Sequence, residues 1–407
     1  MSVIDVSAGA ISRVPGFAAS GVACGLKESG RLDLALVKAD RPCAAAAVFT
    51  TNAFQAAPVL YDRALLARNH SALQAVLINA GKANACTGEQ GLRDAGAMAR
   101  LAEETLALPR DSVFVMSTGV IGDRLPMGKI TAGIEAAARD LSPGGGAAAA
   151  QAILTTDLVA KEAFVQTEIG GAVVSIGGMA KGSGMIHPNM ATMLSAIVTD
   201  ANIETGPLAE ALRLAVAASF NRVTVDGDTS TNDTVVVLAS GSAEHPAIDR
   251  ADSTGFALFQ RALTDLCIAL AKMIARDGEG ATKLIEITVR GAQNPTEAEL
   301  AAQTIATSPL VKTALFGNDP NWGRILAAIG RSGATVEPAR ASLWLGATQV
   351  VAAGEPLAFE PTALSEWLAA SPEVEIVADL GLGPGAATVW TCDLSYKYVE
   401  INAEYHT

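Results

Sequence analysis

The chain has 407 residues, of which 50% are hydrophobic, and a formal net charge of -13. A chain of this length can bury a large core and is typical of a globular protein with two or three domains or lobes. Its acidic charge, without a cluster of lysine or arginine, argues against nucleic acid and anionic membranes as partners. The amino-terminal segment has no basic start followed by an apolar core, and no apolar run approaches the roughly 20 residues of a membrane span, so we expect a cytoplasmic protein.

The first half of the chain alternates predicted strands with predicted helices. Residues 33–40 (DLALVKAD) and 44–51 (AAAAVFTT) are predicted as two adjacent strands, and residues 72–81 as a third. Residues 89–108 have the pattern of a helix, and residues 142–151 (SPGGGAAAAQ) that of a loop followed by a helix. This alternation predicts a mixed α/β fold.

Two later segments give clearer signals. Residues 162–180 contain two apolar strands separated by Gly170 and Gly171, which predicts a hairpin, so part of the sheet is expected to be antiparallel. Residues 256–274 carry apolar side chains three or four positions apart, which predicts a long helix with one apolar face. We expect Gly278 to end this helix in the left-handed conformation.

Several conspicuous motifs are weak matches to known ligand sites. Gly381–Ala386 (GLGPGA) satisfies a loose dinucleotide pattern, but a strand follows where a helix is needed, so we predict a plain turn. The glycine-rich stretch around Lys181 has the wrong spacing for a phosphate-binding loop. Asp226–Asp233 (DGDTSTND) begins with the carboxylate spacing of a calcium loop but lacks the later ligand and glycine, which predicts a structured loop.

The cysteines and histidines indicate neither a disulfide framework nor a zinc site. The five cysteines are scattered without a C-x-x-C pair, which predicts buried free thiols at Cys24, Cys43, Cys86, Cys267 and Cys392. The four histidines have no paired spacing that would suit zinc: His70, His187, His245 and His406. We therefore predict no metal site.

Thr192 stands before an apolar run, MLSAIV, which is predicted as a buried strand. A threonine hydroxyl is a poor nucleophile without a base, and His187 is the only histidine nearby in sequence. Cleavage of the bond to Ala191 would give Thr192 a free α-amine, with a typical pKa of about 7.7 to 8, as its own base. The small Ala191 and the bend expected at Pro188 and Asn189 fit such a cleavage, but a strand-capping threonine without chemistry fits the same residues, so both interpretations remain open.

A set of motifs along the whole chain is similar to those of the ornithine acetyltransferases, also called glutamate N-acetyltransferases, of arginine biosynthesis. The motifs are VFTTNAF (48–54), INAGKANACTG (78–88), STGVIG (117–122), TTD (155–157), KGSGMIHPNMATML (181–194), VDGDTSTND (225–233), FGNDPNWGRI (316–325) and EINAEYHT (400–407). The resemblance implies self-cleavage between Ala191 and Thr192, which gives an α chain of residues 1–191 and a β chain of residues 192–407 that remain associated. It also implies that Thr192 is the nucleophile that carries the acetyl group.

The same resemblance implies roles for residues far from Thr192. Thr118 and Gly119 resemble the oxyanion hole of the family, where a hydroxyl and a backbone N–H stabilise the tetrahedral intermediate. Lys181 resembles a substrate-contacting cation, whose field would also keep the Thr192 amine unprotonated, and Glu279 resembles the acidic ligand of the ornithine side chain. Taken alone, these residues also fit a strand-end turn, a surface lysine and a solvated loop glutamate. The implied substrate-binding residues are Thr155, Lys181, Thr192, Glu279, Asn402 and Thr407.

The implied activity is transfer of an acetyl group from N2-acetylornithine to glutamate through acetyl-Thr192, without a metal or organic cofactor. The implied fold is a two-layered α/β arrangement shared with self-processing aminopeptidases, and the implied assembly is a dimer of αβ units. Acetyl-CoA is expected to be a poor or inactive donor, although some members of the family use both donors. A hydrolase that passes the acyl group to water and an uncleaved ligand-binding protein remain the alternatives.

Overall fold

A computed structural model of the chain describes residues 4–187 and 193–404, and its largest feature is a nine-stranded mixed sheet. The strands are β1 Ile4–Asp5, β2 Phe17–Val22, β3 Leu34–Phe49, β4 Leu73–Lys82, β5 Val113–Val120, β6 Lys161–Ile169, β7 Ala172–Lys181, β8 Leu194–Thr199 and β9 Thr234–Ala239. They lie in the order β1-β6-β7-β8-β9-β3-β4-β5, and β2 pairs with β3. The pairs β8/β9 and β4/β5 are parallel, whereas the other pairs are antiparallel.

The carboxyl-terminal part of the described chain forms a six-stranded sheet of its own. Its strands are β10 Leu284–Ala292, β11 Ser342–Leu345, β12 Thr348–Ala352, β13 Glu355–Pro356, β14 Glu373–Asp379 and β15 Gly385–Cys392. Their order is β13-β12-β11-β14-β10-β15, with β10 and β14 parallel.

Helices cover both sheets. They are α1 Ala57–Arg68, α2 Gly88–Thr105, α3 Met127–Arg139, α4 Gly146–Ala152, α5 Thr205–Ala218, α6 Thr254–Arg276, α7 Pro295–Ala306, α8 Pro309–Phe316, α9 Trp322–Gly330, α10 Pro361–Ala370 and α11 Tyr396–Glu404. The mixed α/β prediction is therefore confirmed. None of the helices in the described part of the chain is both long enough and apolar enough to cross a membrane.

The large sheet is buried on both faces, because successive residues of its central strands point to opposite sides. In β9, Val235 and Val237 pack in one core with α5 and α6, whereas Val236 and Leu238 pack in a second core with α4. Trp390 of the small sheet joins the core of α5 and α6, so the two sheets share apolar contacts.

The two adjacent strands predicted at 33–40 and 44–51 are one continuous strand, β3. Its first half pairs with β4 and its second half with β9, with a register shift between Lys38 and Cys43. Asp40, Arg41 and Pro42 are exposed at this shift, and Pro42 has no N–H to donate to a ladder. Their polar and proline character produced the apparent break in the sequence.

The other element predictions were more accurate. The hairpin at Gly170 and Gly171 joins β6 to β7, and both glycines have positive φ. The predicted strand at 72–81 is β4. The helices predicted at 89–108, within 142–151 and at 256–274 are α2, α4 and α6. The turn predicted from Gly381 joins β14 to β15.

Gly278 does not take the left-handed conformation that we expected beyond α6. Gly280 has a positive φ of +71 instead. Glycine at 278 serves close packing, because a Cβ there would lie 2.8 Å from the Cys392 sulfur.

The five cysteines are all free thiols. Cys43, Cys267 and Cys392 are buried as predicted, but Cys24 is only half-buried and Cys86 is exposed. Cys86 has a positive φ of +57 and lies in the loop between β4 and α2. It is therefore not part of the apolar face of either element.

Candidate active site

A cavity of about 120 Å³ collects residues that lie far apart in the chain. Its walls come from the ends of β5 and β7, the loops after α4 and α6, the loop before β9, and α11. The lining includes six of the residues predicted from sequence: Thr118, Gly119, Thr155, Lys181, Glu279 and Asn402. The remaining predicted residues, Ala191, Thr192 and Thr407, lie outside the described residues.

Thr118 and Gly119 lie at the end of β5, beside the end of β4. Gly119 is opposite Gly81 in this parallel pair and has a φ of +127. A Cβ on Gly119 would lie 2.3 Å from the Gly81 carbonyl carbon, so the close approach of the two strands requires glycine. The Thr118 hydroxyl oxygen accepts a hydrogen bond from Lys181 Nζ at 3.3 Å, which leaves its own proton available to a ligand.

Lys181, the last residue of β7, is buried in the cavity wall. Burial lowers the pKa of its ammonium group, and the carboxylates of Asp157 and Glu279 act in the opposite direction. A cation and a carboxylate on the wall of one small cavity suit a ligand that carries both charges, such as an amino acid.

Lys161 joins two carboxylates that are distant in sequence. Its Nζ lies 2.7 Å from Asp157 Oδ1 and 2.6 Å from Asp277 Oδ2, and all three side chains are buried. Asp157 also accepts hydrogen bonds from the backbone N–H groups of Gly182 at 2.6 Å and Thr155 at 3.0 Å. Burial opposes ionisation of Asp157, but the charges of two neighbouring lysines and these hydrogen bonds hold the pKa of its carboxyl well below its usual range.

Glu279 is fixed from two directions. Its backbone N–H donates to the Ser183 carbonyl at 2.9 Å, and its side-chain Oε2 accepts a hydrogen bond from Asn402 Nδ2 at 2.8 Å. A Cβ on Gly184 would lie 2.4 Å from the Glu279 carboxylate, so a larger residue there would displace it. Asn402 thus connects α11 to the acidic residue of the cavity.

Two carboxylates of the loop before β9 bind the residues on either side of the undescribed segment. Asp226 accepts hydrogen bonds from the N–H groups of Met185 at 2.6 Å and Ile186 at 2.9 Å. Asp233 Oδ1 accepts one from the Met193 N–H at 2.9 Å. Burial raises the pKa of both carboxyls, that of Asp233 well above its usual range, although these hydrogen bonds oppose the shift.

Asn232, next to Asp233, faces the strand that carries the predicted oxyanion pair. Its Nδ2 donates to the carbonyls of Ala83 at 2.6 Å and Ser117 at 2.8 Å. Its Oδ1 accepts a hydrogen bond from the Thr231 hydroxyl at 2.6 Å. The donor and the acceptor of the Asn232 amide are therefore both hydrogen-bonded within the cavity wall.

Sequence analysis missed several of these polar residues. Lys161 and Asp277 were not singled out, and Asp157 was noticed only within the motif TTD. The spacing of Asp157 and Lys161 was a signal, since a carboxylate and a lysine four positions apart precede an apolar strand. Asn232 and Asp233 were assigned only to a structured loop. In residues 4–187 and 193–404, no group of three or more His, Cys, Asp or Glu is arranged to hold a metal ion.

Comparison with known proteins identifies the family. The sequence model of the ArgJ family matches residues 18–407. The chain belongs to the ArgJ family. This confirms the resemblance to the ornithine acetyltransferases, and the ArgJ match spans every residue named above for the cavity wall.

Curated ArgJ proteins match the chain over nearly its full length. The arginine biosynthesis bifunctional protein ArgJ of Symbiobacterium thermophilum is 54% identical over 402 residues, which covers 98% of this chain and 99% of that protein. The protein of the same name from Gloeobacter violaceus is 48% identical over 399 residues and covers 98% of both. Among solved structures, ornithine acetyltransferase complexed with ornithine from Mycobacterium tuberculosis is 39% identical, covers 46% of this chain and 98% of that chain, and has a TM-score of 0.43.

Proposed function

We propose that this chain is an acetyltransferase of arginine biosynthesis, which moves the acetyl group of N2-acetylornithine to glutamate through an acetyl-Thr192 intermediate. The observation that carries the proposal is the cavity in which residues from six separate segments meet with the charges and hydrogen-bond donors that this reaction requires. Membership of the ArgJ family supports the same reaction, since its curated relatives are named for arginine biosynthesis.

The enzyme first cuts its own chain between Ala191 and Thr192. The Thr192 hydroxyl oxygen bonds to the Ala191 carbonyl carbon, the C–N bond breaks, and the hydroxyl proton passes to the Thr192 nitrogen. Water then hydrolyses the resulting ester, which leaves a carboxyl group on Ala191 and restores the Thr192 hydroxyl. The products are chains 1–191 and 192–407, and the second begins with a threonine whose α-amine can act as a base.

Acetyl transfer uses the same hydroxyl twice. Thr192 attacks the acetyl carbonyl of N2-acetylornithine, its amine takes the hydroxyl proton, and that proton passes to the nitrogen of ornithine as the amide C–N bond breaks. The amine of glutamate then attacks the acetyl ester, and the proton that it loses returns to the threonine oxygen. Thr118 and Gly119 stabilise the oxyanion in both steps, and such a donor contributes about 100- to 1,000-fold to kcat.

The charged residues of the cavity bind the ends of the substrate. Lys181 pairs with the α-carboxylate, and Glu279 pairs with the side-chain ammonium of ornithine. Asn402 supports this second role, because its hydrogen bond to one carboxylate oxygen of Glu279 fixes the orientation of the other. Thr155 contributes to the wall, and Thr407, which is outside the described residues, is proposed as a further substrate contact.

N2-acetylornithine rather than acetyl-CoA is proposed as the main donor, because the Lys181 cation and the Glu279 carboxylate on the cavity wall match the charged groups of N2-acetylornithine. The experiment supplies processed enzyme with glutamate and either donor and follows N-acetylglutamate directly. We expect the faster rate from N2-acetylornithine, and comparable rates would contradict this order of donors.

Kinetics separate acetyl transfer from hydrolysis. An acyl-threonine intermediate predicts ping-pong behaviour, with parallel double-reciprocal plots at several glutamate concentrations. We expect sustained ornithine release to require glutamate. Ornithine release that continues at the same rate without glutamate would instead indicate that water is the acceptor.

The variant Thr192→Ala tests the central assignment. It removes the hydroxyl needed for chain cleavage and for acetyl transfer, so the purified protein should remain one folded chain of 41.5 kDa without transferase activity. Intact mass and an N-acetylglutamate assay measure both properties. Cleavage before residue 192 or residual turnover in this variant would show that another residue is the nucleophile.

The active assembly is proposed to be a dimer of αβ units in the cytoplasm. The five free cysteines support a reducing compartment. Light scattering of the processed protein should give a mass near twice 41.5 kDa. A mass near 41.5 kDa would contradict the dimer.

A further inference from the structure

The loop before β9 contains two adjacent side chains that reach opposite parts of the active site. Asp233 Oδ1 accepts the N–H of Met193, the residue bonded to Thr192, at 2.9 Å. Asn232 Nδ2 donates to the carbonyl of Ser117, the residue bonded to Thr118, at 2.8 Å. The two residues are buried, with 7% of Asn232 and 1% of Asp233 exposed.

Main-chain hydrogen bonds also join the loop before β9 to Met193. The Asp233 carbonyl accepts the Thr50 N–H at 2.9 Å, and the Thr234 N–H donates to the Met193 carbonyl at 3.1 Å. Met193 is therefore bound through both its N–H and its carbonyl to the start of β9. On the other side, Asn232 Nδ2 also donates to the Ala83 carbonyl at 2.6 Å, which holds the segment after β4 beside the end of β5.

We propose that Asn232 and Asp233 are positioning residues that set the separation between Thr192 and the pair Thr118 and Gly119. The inference rests on the proposed function, in which Thr192 attacks a carbonyl whose oxygen is stabilised by that pair. Asn232 fixes the strand that carries the oxyanion donors, and Asp233 fixes the backbone that carries the nucleophile. Because they are consecutive in the chain, neither side can shift without straining the other.

Asp233 acts as an uncharged carboxylic acid. Its side chain is almost fully buried and accepts one backbone hydrogen bond, and within residues 4–187 and 193–404 its Oδ2 has no hydrogen-bond partner. A buried carboxylate with a bare oxygen is unfavourable, whereas a protonated one can accept through Oδ1 and keep its proton on Oδ2. Burial raises the pKa of this carboxyl well above its usual range, although the charge of Lys181 acts in the opposite direction.

The first experiment measures self-cleavage and steady-state kinetics of Asp233→Ala and Asn232→Ala. A displacement of about 1 Å between reacting groups can cost about 100-fold in rate, so we expect a loss of this size in the cleavage rate or in kcat, with KM within about twofold of wild type. Asn52→Ala is the matched control, because Asn52 Nδ2 donates to the same loop at the Thr229 carbonyl, 2.9 Å away, and the hydrogen bonds of Asn52 within residues 4–187 and 193–404 do not involve Ser117 or Met193. Unchanged cleavage and kcat in both variants, or a change in KM alone, would overturn the proposal.

The second experiment is rescue by an isosteric neutral residue. Asp233→Asn keeps the acceptor for Met193 and replaces O–H by N–H, so it should retain cleavage and kcat within about fivefold, a loss of about 1 kcal/mol or less in activation free energy. Asp233→Glu, one methylene longer, should lose activity about as much as Asp233→Ala. If Asp233→Ala does not fold, the asparagine and glutamate variants test the proposal by themselves. Loss of cleavage and kcat in Asp233→Asn, with both retained in Asp233→Glu, would overturn the uncharged positioning role.

The proposed function has a separate test. If wild-type protein is not cleaved before Thr192, or Thr192→Ala still transfers acetyl groups, the proposed function fails whatever the variants at 232 and 233 do. If those two results are as expected and the Asn232 and Asp233 variants behave like wild type, only the positioning role fails.

Discussion

The side chains that line the cavity carry charges of both signs. Lys181 supplies the positive group beside the Thr118 hydroxyl, and Glu279 supplies a negative group held by Asn402. A substrate with a carboxylate and an ammonium group can pair with both charges at once. A neutral or purely anionic molecule would leave one buried charge without a partner, which is costly.

Glu279→Gln should weaken the binding of N2-acetylornithine while leaving chain cleavage intact. Loss of a charged hydrogen bond costs about 1.5 to 3 kcal/mol, so we expect KM to rise by roughly 10- to 150-fold. Glu400→Gln, an exposed carboxylate on α11 that pairs with Lys397, is the control and should leave KM unchanged. A Glu279→Gln enzyme with normal KM, or one that fails to cleave although folded, would assign Glu279 to a different role.

Asp233 should make the stability of the protein depend on pH. An unfolded aspartate, with a pKa of about 3.9, is ionised at neutral pH, whereas burial raises the pKa of folded Asp233 well above its usual range. Unfolding then releases a proton, so stability falls as pH rises from about 4 towards the folded pKa, by about 1.4 kcal/mol per pH unit for one proton.

Asp233→Asn removes this titration. Urea unfolding between pH 5 and pH 7, in a Thr192→Ala background that keeps one chain, should show the asparagine variant gaining stability relative to its parent as pH rises. Parallel pH profiles of the two proteins would show that Asp233 is ionised in the folded state.

The resemblance named residues of the cavity wall, whereas most of the residues that hold the wall together were not singled out. The resemblance indicated Thr118, Lys181, Glu279 and Asn402, and all four line one cavity. Residues that join separate segments by ion pairs and hydrogen bonds were missed, because those contacts link parts of the chain that are far apart in sequence: Asp157, Lys161, Asp277, Asn232 and Asp233. Local periodicity carries no information about such pairs.

At the scale of elements, regular periodicity and turn glycines were the reliable signals. Helix α6 and the β6/β7 hairpin were predicted because each has its own hydrophobic period and its own turn or end signal. Strand β3 was divided in error, because a bend between two partner strands looks like a break when the partners are unknown. The end of α6 was also misjudged, since the need for glycine at 278 comes from Cys392 in another sheet.

The buried ion group of Lys161, Asp157 and Asp277 links the loop before β6 to the end of α6. Lys161→Met would remove the cation that joins the two buried carboxylates and would leave Asp277 without its ion-pair partner. Breaking such a group costs about 3 to 5 kcal/mol, so we expect a loss of that size in the free energy of unfolding, measured by urea in the Thr192→Ala background.

Lys397→Met provides the comparison for this prediction. It breaks an exposed ion pair with Glu400 and should change stability by less than about 1 kcal/mol. A Lys161→Met protein as stable as the Lys397→Met protein would mean that Asp157 and Asp277 become protonated at little cost.

For the whole molecule, the proposed cleavage point is not a boundary between folding units. Strands β8 and β9, which follow residue 192, lie between β7 and β3, which precede it. The two proposed chains therefore share one sheet and its two cores. The predicted division into residues 1–191 and 192–407 describes processing rather than domains.

The processed chains should consequently remain together until the sheet itself unfolds. Gel filtration without denaturant should give one peak that contains both chains, and a denaturing gel of that peak should give two bands. Residues 192–407 expressed alone should be insoluble or unfolded, because β8 and β9 would expose both edges. Separation of the chains by salt alone would contradict this expectation, since salt does not weaken apolar packing.

The proposed cut lies in the link between β7 and β8, and the nearest described contacts on its two sides lie at different distances along the chain. On the amino-terminal side, the described contact nearest to the proposed cut is that of His187 with Thr224, and His187 lies four residues before Ala191. On the other side, Thr192 is covalently joined to Met193, which is held by Asp233 and by the start of β9. The proposed cut would therefore place the new amino terminus one residue from a hydrogen-bonded anchor, Met193, and the new carboxyl terminus four residues from the nearest described one, His187.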